Sequence, residues 1–271
     1  IMKILIFGAN GMIGHSLFKY LTEGHTVSGT IRGSAEKVQS ERTFFSKGTL
    51  ISDIDVSDIE LVKQTLQKVG PKVVINATGI VKQLSENNKD SDIVAVNSLF
   101  PHLLAAACEE VGAKMIQFST DCVFSGIKGN YTEEDIADPT DFYGRSKALG
   151  EAISGNSLTL RTSTIGTEIG TSHGLIEWFL AMEGDVFGYK RAIYSGVTTI
   201  ELARIVERVI SAPEIPSGLI NVAGDRITKY DLLKKLDALL GQSPRLLHED
   251  HKFQCDRSLD GRRFFEIFGY K

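Results

Sequence analysis

Tyr143 and Lys147 bracket the run Tyr143-Gly144-Arg145-Ser146-Lys147. That spacing puts both side chains on one face of a helix. A free phenol, with a pKa of about 10, is a poor acid–base group at neutral pH unless a neighbouring cation favours its ionised form. Lys147 can supply that cation. The pair alone is common on surface helices and decides nothing. A third element lies upstream, where Phe118-Ser119-Thr120-Asp121-Cys122-Val123-Phe124 places hydroxyls at the end of an apolar run. At the C-terminal end of a parallel strand, a hydroxyl can hydrogen-bond a carbonyl and stabilise charge that develops on its oxygen. A hydroxyl of Ser119 or Thr120, with Tyr143 and Lys147, makes the candidate catalytic set.

Near the N-terminus, Gly8-Ala9-Asn10-Gly11-Met12-Ile13-Gly14 follows one apolar run and opens a helical pattern. Glycine permits a tight turn and a close approach of the backbone to a pyrophosphate, and a helix N-terminus adds unpaired N–H groups and partial positive charge. Gly8, Asn10, Gly11, Met12, Ile13 and Gly14 are therefore candidate dinucleotide contacts, with spacing G-x-x-G-x-x-G. An NAD-binding fold commonly places an acid about 20 residues further on, against the adenosine ribose. Here the second strand ends in Ser28-Gly29-Thr30-Ile31-Arg32-Gly33-Ser34, with no acid before Glu36. Arg32 suits a 2′-phosphate instead, which favours NADPH over NADH.

Residues of these kinds need a scaffold that brings strand ends together. Lys3–Phe7, His25–Ile31, Lys72–Asn76 and Lys114–Ser119 are short buried-type strands. They alternate with helical patterns at 12–23, 58–68, 93–111 and 143–153. Pro101 inside the third helix implies a kink or a local adjustment. The alternation predicts an α/β, Rossmann-type doubly wound parallel sheet over residues 1–165. Residues 166–271 are expected to form a smaller, interleaved substrate-binding lobe. It has helices at 175–182, 199–211 and 230–240, the last with an apolar stripe of Leu232, Leu233, Leu236, Leu239 and Leu240 read as core.

The formal net charge of −4, with no block of basic residues, argues against nucleic acid or an anionic membrane as the main partner. Cys108, Cys122 and Cys255 fall in no C-x-x-C spacing, so a reduced cytoplasmic protein is expected rather than a disulfide framework. His102 and His173 have no ligand-spaced partners, and no metal site is expected. The first apolar run is too short for a signal peptide. No stretch is expected to approach the roughly 20 apolar residues of a membrane span.

With loop, hydroxyls and Tyr/Lys pair in this order, the sequence resembles the extended short-chain dehydrogenase/reductases, specifically the dTDP-4-dehydrorhamnose reductase family, over most of its length. Further matching segments are Asn76-Ala77-Thr78-Gly79, Asn97, Gly150-Glu151 after the Tyr/Lys pair, Arg161-Thr162-Ser163 and Asp256-Arg257-Ser258-Leu259-Asp260. The resemblance implies NADPH-dependent reduction of a 4-keto group on a nucleotide-activated deoxysugar, as used in polysaccharide biosynthesis, and allows a homodimer. It implies that Gly11, Met12 and Ile13 face the pyrophosphate, Asp55 and Val56 the adenine, and Ala77, Thr78 and Gly79 the middle of the cofactor. Asn97, Tyr143 and Lys147 join the cofactor-binding set. Thr120, Asp121, Lys82 and Arg257 are implied on the substrate side, with Thr120 the catalytic hydroxyl, and Tyr143 donates the proton. The sequence departs from the family pattern where Cys122 replaces a tyrosine, where Thr164 replaces a tryptophan, and at Ile80-Val81-Lys82-Gln83.

Three other readings use the same residues. A nucleotide-sugar epimerase would hold NAD⁺ tightly and favour an acid after the second strand. A non-catalytic NADP-binding regulatory subunit would be expected to lose Tyr143 or Lys147, and both are retained. A dehydratase would need a carboxylate immediately after the Thr-Asp step, where Cys122 stands.

Overall fold

The computed structural model describes residues 1–34, 45–81, 88–169, 174–241 and 245–270. Its centre is a seven-stranded sheet in the order β10-β6-β5-β4-β1-β2-β3. These strands are β1 (Lys3–Phe7), β2 (Thr26–Thr30), β3 (Thr49–Ile51), β4 (Val73–Asn76), β5 (Lys114–Thr120), β6 (Ser157–Thr162) and β10 (Gly218–Asn221). Every pairing is parallel, as the sequence predicts. The chain steps outward from β1 to β3, then returns to β4 on the other side of β1. The crevice between the C-terminal ends of β1 and β4 is thus the switch point where doubly wound sheets take ligands.

Alternation along β1 explains the layering. Ile4 and Ile6 join one apolar cluster with Leu17, Phe18, Val206 and Phe264, while Leu5 and Phe7 join another with Val62, Leu66, Phe100 and Leu104. Successive side chains of a strand point to opposite faces, so a sheet covered on both sides needs continuous apolar runs. Helices α1 (Met12–Leu21), α2 (Ile59–Val69) and α3 (Asp90–Glu110) provide that cover. Asp58, predicted as the first residue of α2, is its N-cap and accepts from the Leu61 N–H at 3.1 Å.

Pro101 is accommodated by a wide turn over Ala95–Leu99, in which the Phe100 N–H reaches back to the Ala95 carbonyl. The extra residue in that turn takes up the backbone that the ring would otherwise strain. Contrary to the expectation from sequence, α3 is long and apolar enough to cross a membrane by length and composition. Phe100, Leu104, Ala107 and Cys108 on its inner face are nevertheless buried against the sheet. Helix α4 (Phe142–Leu149) is shorter than expected, and residues 150–153 lie beyond it.

After β7 (Thr164–Ile165), a second layer begins with α5 (Leu175–Ala181) and β8 (Gly184–Tyr194). The chain returns to the large sheet through β9 (Val197–Thr198), α6 (Thr199–Ile210) and β10. It then leaves again for β11 (Ile227–Thr228), α7 (Lys229–Leu240) and β12 (Arg245–Asp256), which with β8 form a three-stranded sheet in the order β11-β8-β12. Helix α8 (Arg262–Phe268) puts Phe264 and Phe268 back into the main core. The two layers therefore exchange chain after residue 165 instead of dividing there. Of the leucine stripe on α7, Leu233 is buried, whereas Leu239 and Leu240 are exposed. The stripe read as core is core only at its first part.

Candidate active site

The loop between β1 and α1 is shaped by two glycines. Gly8 adopts φ 80°, in the left-handed region, and a Cβ on Gly14 would lie 2.0 Å from the Gly8 carbonyl oxygen. Helix and strand thus approach more closely than any side chain at Gly14 permits. Gly11 caps α1 without a side-chain hydrogen bond, and the first turn carries no acid. The N–H groups of that turn therefore remain available to an anion.

Across the switch point, the Asn76 side chain accepts from the Thr78 N–H at 3.1 Å and the Thr78 hydroxyl at 2.6 Å. This local turn presents Ala77, Thr78 and Gly79 to the crevice. Asn97 stands one layer behind. Its Oδ1 accepts from the Ile80 N–H at 2.8 Å, and its Nδ2 donates to the Ile80 carbonyl at 2.9 Å and to Ser146 Oγ at 3.1 Å. Asn97 therefore acts through Ile80, clamping the cofactor-side loop to α4.

The catalytic candidates converge from β5 and α4. Asp141 caps α4 by accepting from the Gly144 N–H at 2.7 Å, which starts the helix where Tyr143 and Lys147 share a face. Lys147 Nζ donates to the Phe118 carbonyl at 2.8 Å. Thr120 accepts from the Cys122 N–H at 3.1 Å and donates to Asp121 Oδ1 at 3.2 Å. Ser119 instead donates to Glu151 at 2.6 Å, and Glu151 holds Arg161 through two bonds of 2.7 and 2.8 Å. Both residues line the cleft, Ser119 tied to Glu151 on the neighbouring helix end and Thr120 bonded locally to Asp121 and the Cys122 N–H.

A cavity of about 530 Å³ joins these pieces: Asn10, Gly11, Met12 and Ile13 at one end, Ala77, Thr78 and Gly79 in the middle, and Thr120, Asp121, Tyr143 and Lys147 at the other. Arg32, Asp55 and Val56 lie on the same C-terminal edge of the sheet but do not line this cavity. The Ile54 N–H bonds the Ile31 carbonyl at 3.0 Å, which brings the two segments together. Asp55 is held below its ordinary pKa first by the Ser57 N–H and hydroxyl, with the Arg32 charge adding to this. Val56 is half-buried against the core. Arg257 is bound from below, with Nε donating to the Phe124 carbonyl at 2.8 Å and Nη1 to Cys122 Sγ at 3.5 Å. Lys82, expected on the substrate side, falls outside the described residues, as does His173. Among the described residues there is no cluster of three or more potential metal ligands.

Burial raises the Tyr143 pKa, and Cys122 and Asp121 push the same way. Lys147, which donates to the Phe118 carbonyl, is not among the groups that shift it. The direction suits a proton donor, which must stay protonated until an oxygen takes the proton. Burial lowers the Lys147 pKa to about 8, opposed by the Glu151 carboxylate. Burial raises Asp121, with Lys229 and Arg257 pulling it back. Lys229, on α7, lines the same cavity and belongs to no motif in the sequence. Glu151 could be found only through the Gly150-Glu151 match.

A phosphate loop at the switch point, feeding a cleft that ends in Thr, Tyr and Lys, defines a dinucleotide-dependent enzyme of the short-chain dehydrogenase/reductase class. More narrowly, the chain belongs to the family of the RmlD substrate binding domain, whose model matches residues 2–173. It is 29% identical over 240 residues to a dTDP-4-dehydrorhamnose reductase of Aggregatibacter actinomycetemcomitans, covering 84% of this chain and 76% of that one. A hypothetical dTDP-4-dehydrorhamnose reductase from Sulfolobus tokodaii superposes with a TM-score of 0.81 at 28% identity, covering 98% of this chain and 94% of that one. The dTDP-4-dehydrorhamnose reductase of Bacillus anthracis, solved in complex with NADP, has a TM-score of 0.81 at 19% identity, covering 100% of this chain and 94% of that one. This last likeness is one of fold.

Proposed function

We propose that this chain is an NADPH-dependent reductase of a 4-keto group on a nucleotide-activated deoxysugar. The observation that carries the reading is the single cleft joining the phosphate loop to Thr120, Tyr143 and Lys147. The uncapped start of α1 and the glycine cradle fit a dinucleotide pyrophosphate. When bound, NADPH supplies the hydride.

The chain's own residues then have separate tasks. The first turn of α1 holds the pyrophosphate, and Arg32 takes the 2′-phosphate. Thr120 hydrogen-bonds the keto oxygen and polarises it. Tyr143 donates its proton to that oxygen as the carbonyl carbon is reduced. Lys147, charged below about pH 8, stabilises the tyrosinate left behind and bonds the ribose. Asp121 sits beside the sugar, and Arg257 holds the Cys122 wall of that end. Residues from 166 onward that leave the large sheet contribute the substrate-facing side.

The test is NADPH oxidation across dTDP-, UDP- and GDP-linked 4-keto-6-deoxy sugars. Turnover with one of them supports the reading. NADPH binding without turnover on the whole panel would move the assignment to an epimerase or a regulatory subunit.

A further inference from the structure

The sugar-side end of the cleft holds a cation that the roles above leave unused. Lys229 is the first residue of α7, and Thr228 fixes it there by accepting from the Asp231 N–H at 3.0 Å. Its side chain passes over the Tyr194 ring, with Nζ 3.7 Å from the ring centroid, and lines the cavity that contains Asp121, Cys122 and Tyr143. Among the described residues its ammonium has no carboxylate within salt-bridge distance and donates no hydrogen bond. An aromatic face is only a partial partner for this half-buried cation.

The charges that act on Lys229 are few. Asp121 is the carboxylate nearby, and Arg257 is a second cation facing the same acid. Cys122 is pushed up to about 12 by burial, and burial raises Cys255 as well, so both remain neutral thiols near neutral pH. Glu168, the other acid on the cavity wall, has a partner of its own. Arg257 has Asp141 as well as Asp121 acting on it and spends Nε on the Phe124 carbonyl, whereas Asp121 is the one carboxylate acting on Lys229. The Lys229 ammonium, with its N–H donors unspent, faces the place where substrate enters. An incoming anion would balance it.

We propose that Lys229 determines substrate specificity by pairing with an anionic oxygen of the nucleotide sugar, either phosphoryl or a carboxylate on the sugar ring. The inference rests on the nucleotide-sugar reading of the site. Lys229 binds and orients, and takes no part in proton transfer. A substrate that places an anionic oxygen there gives the half-buried ammonium the partner it otherwise lacks, and one that does not forgoes that pairing.

The experiment is calorimetric titration of the full chain, wild type against Lys229→Met and Lys229→Arg, with dTDP, UDP, UDP-glucose and UDP-glucuronate as probes. NADPH affinity, measured in parallel, reports whether each variant keeps its fold. A drop of about tenfold or more in nucleoside diphosphate affinity for Lys229→Met, largely restored in Lys229→Arg, supports the proposal with a phosphoryl partner. A drop confined to UDP-glucuronate supports it with a carboxylate partner. Unchanged affinities for all probes, with NADPH binding intact, overturn the role of Lys229 alone. Failure of the wild type to bind any of the probes overturns both the role and the reading beneath it.

Discussion

Lys147 Nζ lies 2.8 Å from the carbonyl oxygen of Phe118, so the catalytic helix is pinned to the strand that carries Thr120 two residues later. One hydrogen bond sets the spacing between the residue that polarises the carbonyl and the residue that returns the proton. The same bond keeps the Lys147 charge where burial lowers its pKa to about 8.

Replacing Tyr143 with phenylalanine removes the proton donor and little else. Tyr143→Phe is expected to lower kcat by about 100- to 10,000-fold, the usual worth of a positioned acid. NADPH affinity, followed by nicotinamide fluorescence, should stay at the wild-type level. Wild-type turnover in the variant would remove Tyr143 from the mechanism.

The pH profile follows from two groups. Tyr143 is raised and stays protonated through the neutral range, while Lys147 loses its charge as pH rises through about 8. Turnover should therefore be flat below neutrality and fall above about pH 8. Glu151 is a carboxylate that favours the charged lysine, so its removal lowers that pKa further. In Glu151→Gln the alkaline limb should move to lower pH, which a kcat profile would read directly.

The same substitution bears on stability. Glu151 and Arg161 form a pair with side-chain exposures of 10% and 5%. Neutralising one partner strands the other charge, at a cost of about 3–5 kcal/mol. Urea unfolding of Glu151→Gln should show this loss, and an unchanged midpoint would mean that Arg161 finds another partner.

Arg32 is predicted to tell the two nicotinamide dinucleotides apart. Arg32→Ala should weaken NADPH by about 10- to 100-fold, the worth of a charged hydrogen bond to phosphate. NADH binding should change little. Equal losses for both would place Arg32 away from the 2′-phosphate.

Asn97 tests the scaffold behind the site. Asn97→Ala leaves the Ile80 N–H and carbonyl without the partners seen at 2.8 and 2.9 Å. A fall of about 1–3 kcal/mol in stability is expected, together with a raised KM for NADPH as the loop at Ala77–Gly79 loosens. Thermal melting and steady-state kinetics would show both.

Much of this was legible in the sequence because the parallel sheet demands continuous apolar runs, and β1, β4 and β5 supply them. Strand β6 is not legible in the sequence, since Ser157, Thr159, Arg161 and Thr162 read as polar yet are buried. Thr159 and Arg161 find partners from elsewhere, Thr159 in Gln117 and the Ala152 carbonyl and Arg161 in Glu151. Strands β8 and β12 were hidden for the opposite reason, as one face of each is exposed and carries Asp185, His248 and Lys252 among its residues. The site residues Thr120, Tyr143 and Lys147 stood out through their order along the chain. Lys229 did not, because only the return of α7 to the cleft gives it meaning. The contact of Lys147 with the Phe118 carbonyl is not legible either, because spacing on a helix fixes a face but not which acceptor an ammonium finds.

The most direct measurement follows the hydride itself. The protein would be incubated with NADPH carrying deuterium at nicotinamide C4 and a dTDP-4-keto-6-deoxy sugar, and the product read by NMR. Hydride transfer to the keto carbon places deuterium at C4 of the sugar, one per NADPH oxidised, and this is the expected result. A sugar that exchanges or inverts its other carbons with solvent protons, while NADPH remains unoxidised, would contradict reduction and identify an epimerase.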